Sequence, residues 1–124
     1  MSDAASPADA AIDRTLQALA EPTRRAVVGL LRAGPRRASD IAASLATSRQ
    51  AMSRHLRVLR QAGVIRELGA EGAGDDARAR TYRLEAAPLA DLQSWLGEVQ
   101  AFWGVQMQAF RKQAERVARE RGTR

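Results

Sequence analysis

The chain contains no cysteine, which excludes disulfides, thiolate metal sites and thiol redox chemistry. It has one histidine, His55, and a lone imidazole cannot supply the roughly four nitrogen or sulfur ligands of a zinc site. No apolar run approaches the ~20 residues that a membrane-spanning helix needs. Met1 to Asp9 lacks the basic and apolar regions of a secretory signal, so the expected location is the cytoplasm. No glycine-rich phosphate loop follows a strand, and no nucleophile elbow is present. Ser39 and Ser53 have no base and orienting partner in sequence, so neither a catalytic residue nor a cofactor is expected. The most informative scarcity is of acid. Residues 24–66 hold ten arginines against the single acid Asp40, a local charge of +9; the whole chain carries +6, so the remainder sums to −3.

At 124 residues, 45% hydrophobic and 27% charged, the chain fits one ordinary globular domain. Residues 1–8, with Ser2, Ser6 and Pro7, read as a flexible arm before a domain spanning 9–121. A first helix at about 9–20 places Ile12, Leu16 and Leu19 on one face. Pro22 suits the first position of a second helix, where its missing N–H costs nothing, and Gly34-Pro35 stops that helix. A short helix follows from about Ser39 to Ala46, with Ile41 and Leu45 inward. After a break at Ala46-Thr47 comes a longer helix capped by Ser48 and ended by Gly63. Strands are expected over Val64–Leu68 and Arg80–Leu84, joined by a polar, glycine-rich hairpin tip at Gly69–Arg78. Pro88 opens a last helix running to about Arg121, with a possible kink site at Gly104. The pattern is mainly α with a small β-hairpin, in the order α-α-α-α-β-β-α.

A short helix, a tight turn and a longer helix form a unit shaped to enter a groove, and the arginine excess lies on that unit. Together they point to double-stranded DNA read in the major groove. In the longer helix Met52, Leu56 and Leu59 recur at i, i+4 and i+7 and must face the core. The 3.6-residue period then presents Arg49, Gln50, Ser53 and Arg54 outward as base-reading candidates, since arginine can bond guanine and glutamine adenine in bidentate fashion. Arg57 and Arg60 suit phosphates, as do Arg24 or Arg25, and the helix start at Ser48 can hold another. Arg78 and Arg80 flank the wing, placed either for a minor groove or to balance Asp75 and Asp76. His55 is either a phosphate contact or a half-buried spacer beside Leu56.

The runs Glu21-Pro-Thr-Arg-Arg25, Asp40-Ile-Ala42, Ser53-Arg-His-Leu-Arg-Val-Leu-Arg-Gln-Ala-Gly-Val-Ile65 and Thr81-Tyr-Arg-Leu84 resemble the ArsR/SmtB family of winged helix-turn-helix transcriptional repressors. The resemblance covers roughly residues 10–110 in the same order. It implies a recognition helix at Ser48 to Ala62, a wing at Val64 to Leu84, and a homodimer joined through its first and last helices. It also implies an inverted-repeat operator overlapping the promoter of the chain's own gene. Metal-sensing members carry a cysteine pair where this chain reads Arg37-Ala-Ser-Asp40, or histidine and acidic ligands in a last helix that here has no histidine. Its Asp91, Glu98, Glu115 and Glu120 are scattered, so no metal is expected, and Leu92 to Trp103 more closely resembles a metal-independent branch.

Leu89, Leu92, Leu96, Val99 and Trp103 repeat at spacings of three and four, widened by Trp95 and Phe102. A helix of about 34 residues with so wide an apolar face is best covered by a two-fold partner. With the implied interface, the contact residues are Ile12 and Leu16 with Leu92, Trp95, Leu96, Val99, Phe102 and Trp103. The helical dimerisation elements are then about 9–20 and 88–121. Two other readings fit the same residues: a sensor of this fold released from DNA by an unknown small molecule, and a winged-helix protein-interaction module. The charge concentration disfavours the module.

Overall fold

A computed structural model of the chain describes residues 6–69 and 80–122. The elements in order are α1 (Pro7–Leu19), α2 (Pro22–Leu31), β1 (Arg36–Arg37), α3 (Ala38–Ser44), α4 (Arg49–Gln61), β2 (Ile65–Leu68), β3 (Thr81–Leu84) and α5 (Ala86–Gly122). The chain forms two compact units, Met1–Asp91 and Leu92–Arg124. Among the described residues no helix is long and apolar enough to cross a membrane.

In the first unit α4 is the central element, packing against α1, α2, α3 and β2. Its inward residues Met52, Leu56 and Leu59 are buried, as their spacing requires. They share one core with Ala18 from α1, Val27 and Leu31 from α2, Ile41 and Ala42 from α3, Val64 just before β2, and Ile65 and Tyr82 from the sheet. The one buried polar side chain among the described residues, Thr15, donates its hydroxyl to the Ala11 carbonyl at 3.1 Å.

Local capping sets the helix ends. α1 begins at Pro7, two residues earlier than about residue 9, because Ser6 is its N-cap: the Ser6 hydroxyl accepts from the Asp9 N–H at 3.1 Å. Serine, then proline at the first helical position and an acid in the first turn, is a helix start, so residues 7 and 8 lie in the helix and Ser6 caps it. α3 spans Ala38–Ser44 and stops short of Ala46, which turns to a φ of 51°. That left-handed residue reverses the chain between the two helices, and the Thr47 N–H closes the turn on the Ala42 carbonyl at 3.0 Å. Gly63 has a φ of 78° and ends α4 as expected. α5 opens at Ala86, not Pro88; the ring is tolerated there because N–H groups in a first turn have no partner inside the helix.

The sheet departs from the expected two-stranded hairpin. β2 and β3 pair antiparallel with Ile65 opposite Leu84 and Leu68 opposite Thr81, so each strand starts one residue later than expected. A third strand, β1, pairs antiparallel with the other edge of β3, Arg36 opposite Tyr82 and Arg37 opposite Thr81, giving the order β1-β3-β2. Two consecutive arginines carry no alternating pattern, which is why the residue types did not announce a strand. The pairing covers an edge of β3 and ties α3 to the wing through the Ala38 N–H and the Arg80 carbonyl, 2.9 Å apart.

The second unit is helical. α5 is unbroken through Gly104, and none of its residues is buried. Trp95, Leu96 and Val99 are exposed, and Phe102 and Trp103 more so, at 65% and 62%.

Leu59, with no exposed surface, joins α4 to the rest of the core. Leu59→Ala should lower the unfolding free energy by about 2–5 kcal/mol, read as a shift in denaturant midpoint at unchanged slope; a loss below about 1 kcal/mol would contradict this packing.

Candidate nucleic-acid interface

With one face of α4 committed to the core, the opposite face is set by helical geometry. Arg49, Gln50, Ser53, Arg54, Arg57 and Arg60 are all exposed. The Ser48 hydroxyl accepts from the Ala51 N–H at 3.2 Å and so caps α4. No acid lies in the first turn, so the partial positive charge of the helix start adds to that of the arginines.

These side chains line a concave surface. α4 forms one wall, Ala38, Ser39 and Ala42 of α3 another, and Arg80 and Tyr82 at the base of the wing a third. Arg49, Gln50, Ser53 and Arg54, expected to read bases, meet there with Arg57, Arg60 and Arg80, expected to hold phosphate. Ser48 and His55 are not part of the lining, and Arg78 lies outside the described residues.

Charge pairing divides the arginines. Among the described residues, Arg49, Arg54 and Arg57 make no ion pair. Arg60 and Arg80 share one acid, Glu67, at 3.2 and 3.4 Å. Arg66 and Arg83, which face each other across β2 and β3, are both held by Glu85 at 3.5 and 3.3 Å. Glu67 was not among the expected site residues. Its signal was the period of two in β2, which puts it on the same side as buried Ile65 and so towards α4.

Arg24 and Arg25 both reach back to α1. The Arg24 Nε donates to the Ala18 carbonyl at 2.7 Å and its Nη2 to Gln17 at 3.2 Å, while an Arg25 Nη1 donates to Leu19 at 2.8 Å. Both guanidinium groups close the carbonyl end of α1, where cations are favoured.

His55 faces the start of α2. Half-buried, its Nδ1 lies 3.7 Å from the Glu21 carboxylate, which itself accepts from the Arg24 N–H at 2.9 Å as the N-cap of α2. Burial opposes ionisation of Glu21. The Arg24 and Thr23 backbone N–H groups, the facing His55 and the Thr23 hydroxyl outweigh it and hold the pKa below the ordinary 4.5.

A helix-turn-helix with an arginine-lined second helix, flanked by a small antiparallel wing, defines a winged helix-turn-helix DNA-binding protein. Similarity to known proteins agrees. A family model for a helix-turn-helix domain matches residues 19–67. Over 91 residues the chain is 37% identical to the HTH-type transcriptional regulator Rv2034 of Mycobacterium tuberculosis, covering 73% of this chain and 77% of that one. It is 38% identical to the transcriptional repressor SdpR of Bacillus subtilis over 68% of this chain and 88% of SdpR. The crystal structure of the ArsR family transcriptional regulator RHA00566 superposes with a TM-score of 0.68 at 32% identity, covering 82% of this chain and 97% of that one. The chain belongs to the ArsR family of winged helix-turn-helix transcriptional regulators.

Because the folded pKa of Glu21 is lowered, its stabilising contribution is complete above the unfolded value near 4.5 and is lost as pH falls through the lower folded value. Thermal midpoints of wild type and Glu21→Gln should therefore differ most at neutral pH and converge below 4.5. A difference that persists unchanged into acid would show that the Glu21 charge plays no part.

Proposed function

We propose that the protein is an autoregulatory repressor that binds an inverted-repeat operator as a homodimer. The observation that carries this reading is the groove in which Arg49, Arg54 and Arg57 stand without an acidic partner among the described residues. Unpaired guanidinium groups on an exposed helix face repel one another, and a polyanion supplies the missing counter-charge. Arg49, Gln50, Ser53 and Arg54 read bases from the first half of α4. Arg57 grips phosphate, as do Arg60 and Arg80 beside the wing.

The dimer reading rests on apolar exposure. On α5, Trp95, Leu96, Val99, Phe102 and Trp103 are 37–65% exposed, and on α1 Leu16 is 40% exposed. Ile12 and Leu92, both partly covered, extend the two faces. Apolar area of this kind on a regulator is covered by a second copy, and two copies present two recognition helices to half-sites about one helical turn apart. SdpR, a relative, is a repressor, which favours repression as the outcome of binding here.

Fluorescence anisotropy on the chain's own upstream DNA and on a scrambled duplex, across a salt series, tests the reading. Preference for the upstream DNA by about a hundredfold or more, with a steep salt slope, is expected. Equal weak binding to both duplexes would refute autoregulation. Arg54→Ala should narrow that preference by about 1–3 kcal/mol, whereas Arg57→Ala should weaken both duplexes alike and reduce the salt slope by about one. Sedimentation of Phe102→Glu should show monomers at concentrations where the wild type is dimeric; an undisturbed dimer would remove α5 from the interface.

A further inference from the structure

We infer that Glu67 is a positioning and specificity-determining residue: it bridges Arg60 of α4 and Arg80 of the wing base and restrains their grip on phosphate, lowering affinity for DNA of arbitrary sequence. The inference rests on the DNA-binding reading above and deepens it.

The geometry is that of a bridge. Glu67 lies on the inner face of β2, opposite Tyr82 of β3. Its Oε2 accepts from an Arg60 Nη1 at 3.2 Å, and its Oε1 lies 3.4 Å from the Arg80 Nε. Each carboxylate oxygen serves a different element, so one side chain ties the recognition helix to the wing. The strand pairing fixes Glu67, and the bond from the Ala38 N–H to the Arg80 carbonyl fixes the backbone at the other end of the bridge.

Stability does not account for this arrangement. The three side chains are 28–42% exposed, and ion pairs so open to water contribute little to folding. Charge does account for it. Two guanidinium groups beside a groove would present two full charges to any phosphate; with Glu67 between them the cluster carries one. Phosphate contacts set the salt-dependent affinity that all sequences share, whereas Arg49, Gln50 and Arg54 are far enough along α4 to read bases independently. Each guanidinium also has five donors, so it can hold Glu67 and a phosphate together in one orientation. The carboxylate thus subtracts from the contact that all DNA offers and leaves the contact that distinguishes one sequence from another.

Glu67→Gln keeps the shape and removes the charge. On a scrambled duplex, affinity should rise about three- to tenfold and the slope of log K against log salt should steepen by about one. Affinity for the upstream DNA should rise less, so the preference narrows, while the thermal midpoint stays within a degree or two of wild type, roughly as for other exposed pairs. In an Arg60→Ala/Arg80→Ala background the same substitution should give a clearly smaller gain in affinity and leave the slope nearly unchanged, because no guanidinium remains to be released to phosphate, whereas a purely structural role for Glu67 would give no gain in either background. Unchanged or weaker binding of Glu67→Gln to the scrambled duplex, with wild type binding normally, would overturn the inference alone. Failure of the wild type to bind any duplex would overturn the DNA-binding reading and this inference together.

Discussion

The architecture depends on what α4 must bury. Met52, Leu56 and Leu59 belong to the core of the first unit, where α4 packs against α1, α2, α3 and β2, and their spacing leaves one orientation of the helix about its own axis. Rotating α4 by a quarter turn would expose Met52 and drive Arg49 or Arg57 inward, where a guanidinium without a partner costs several kcal/mol. The outward face is therefore a consequence of packing. Residues with no role in folding are displayed at fixed angles because others, one or two positions away, have no alternative to the core. The Ser48 cap and the left-handed Ala46 fix where that face begins, and β1 fixes the wing relative to α3.

The same scaffold sorts the arginines, and the sorting changes what the raw charge means. A local +9 suggests a uniformly basic strip. In the folded chain Arg24 and Arg25 complete the carbonyl end of α1, Arg66 shares Glu85 with Arg83, and Arg60 shares Glu67 with Arg80. Among the described residues Arg49, Arg54 and Arg57 of α4 make no ion pair, and neither do Arg32, Arg36 and Arg37. The three on α4 project from successive turns of one helix and concentrate positive charge along the groove. Since the salt dependence of DNA binding counts phosphates actually neutralised, a formal count of arginines overstates it.

The helix-turn-helix was legible because its signals are local: the Ser48 cap, Gly63 and a three-residue apolar repeat lie within one stretch of chain. The groove-facing residues of α4 followed from that repeat by geometry. What escaped the sequence was non-local. β1 exists only because β3, more than forty residues on, offers an edge. Glu67 carries no meaning until β2 turns it towards Arg60. The carbonyl contacts of Arg24 and Arg25 depend on the end of a preceding helix, which charge alone does not reveal. The start of α1 could have been read correctly, since Ser6, Pro7 and Asp9 make a complete start signal that the nearby chain end disguised as an arm. The wing tip at Gly69–Arg78 falls almost wholly outside the described residues, so Arg78 stands as a sequence expectation.

α5 raises a different physical question from the rest of the chain. It has 37 residues, about 55 Å of helix, and none of them is buried. Most helical stability in proteins comes from packing an apolar face, and propensity alone leaves even long helices marginal in water. Phe102 and Trp103 also carry the two chief costs of exposure, lost burial of large rings and a risk of indiscriminate association. On the proposed dimer both difficulties have one solution, because a second copy covers the stripe and supplies the packing that holds the helix. Ordering of α5 and pairing of the subunits then become a single event. That coupling bears on DNA binding as well. Two recognition helices held by one interface gain from effective concentration, so the affinity for paired half-sites would depend on residues of α5 that touch no DNA.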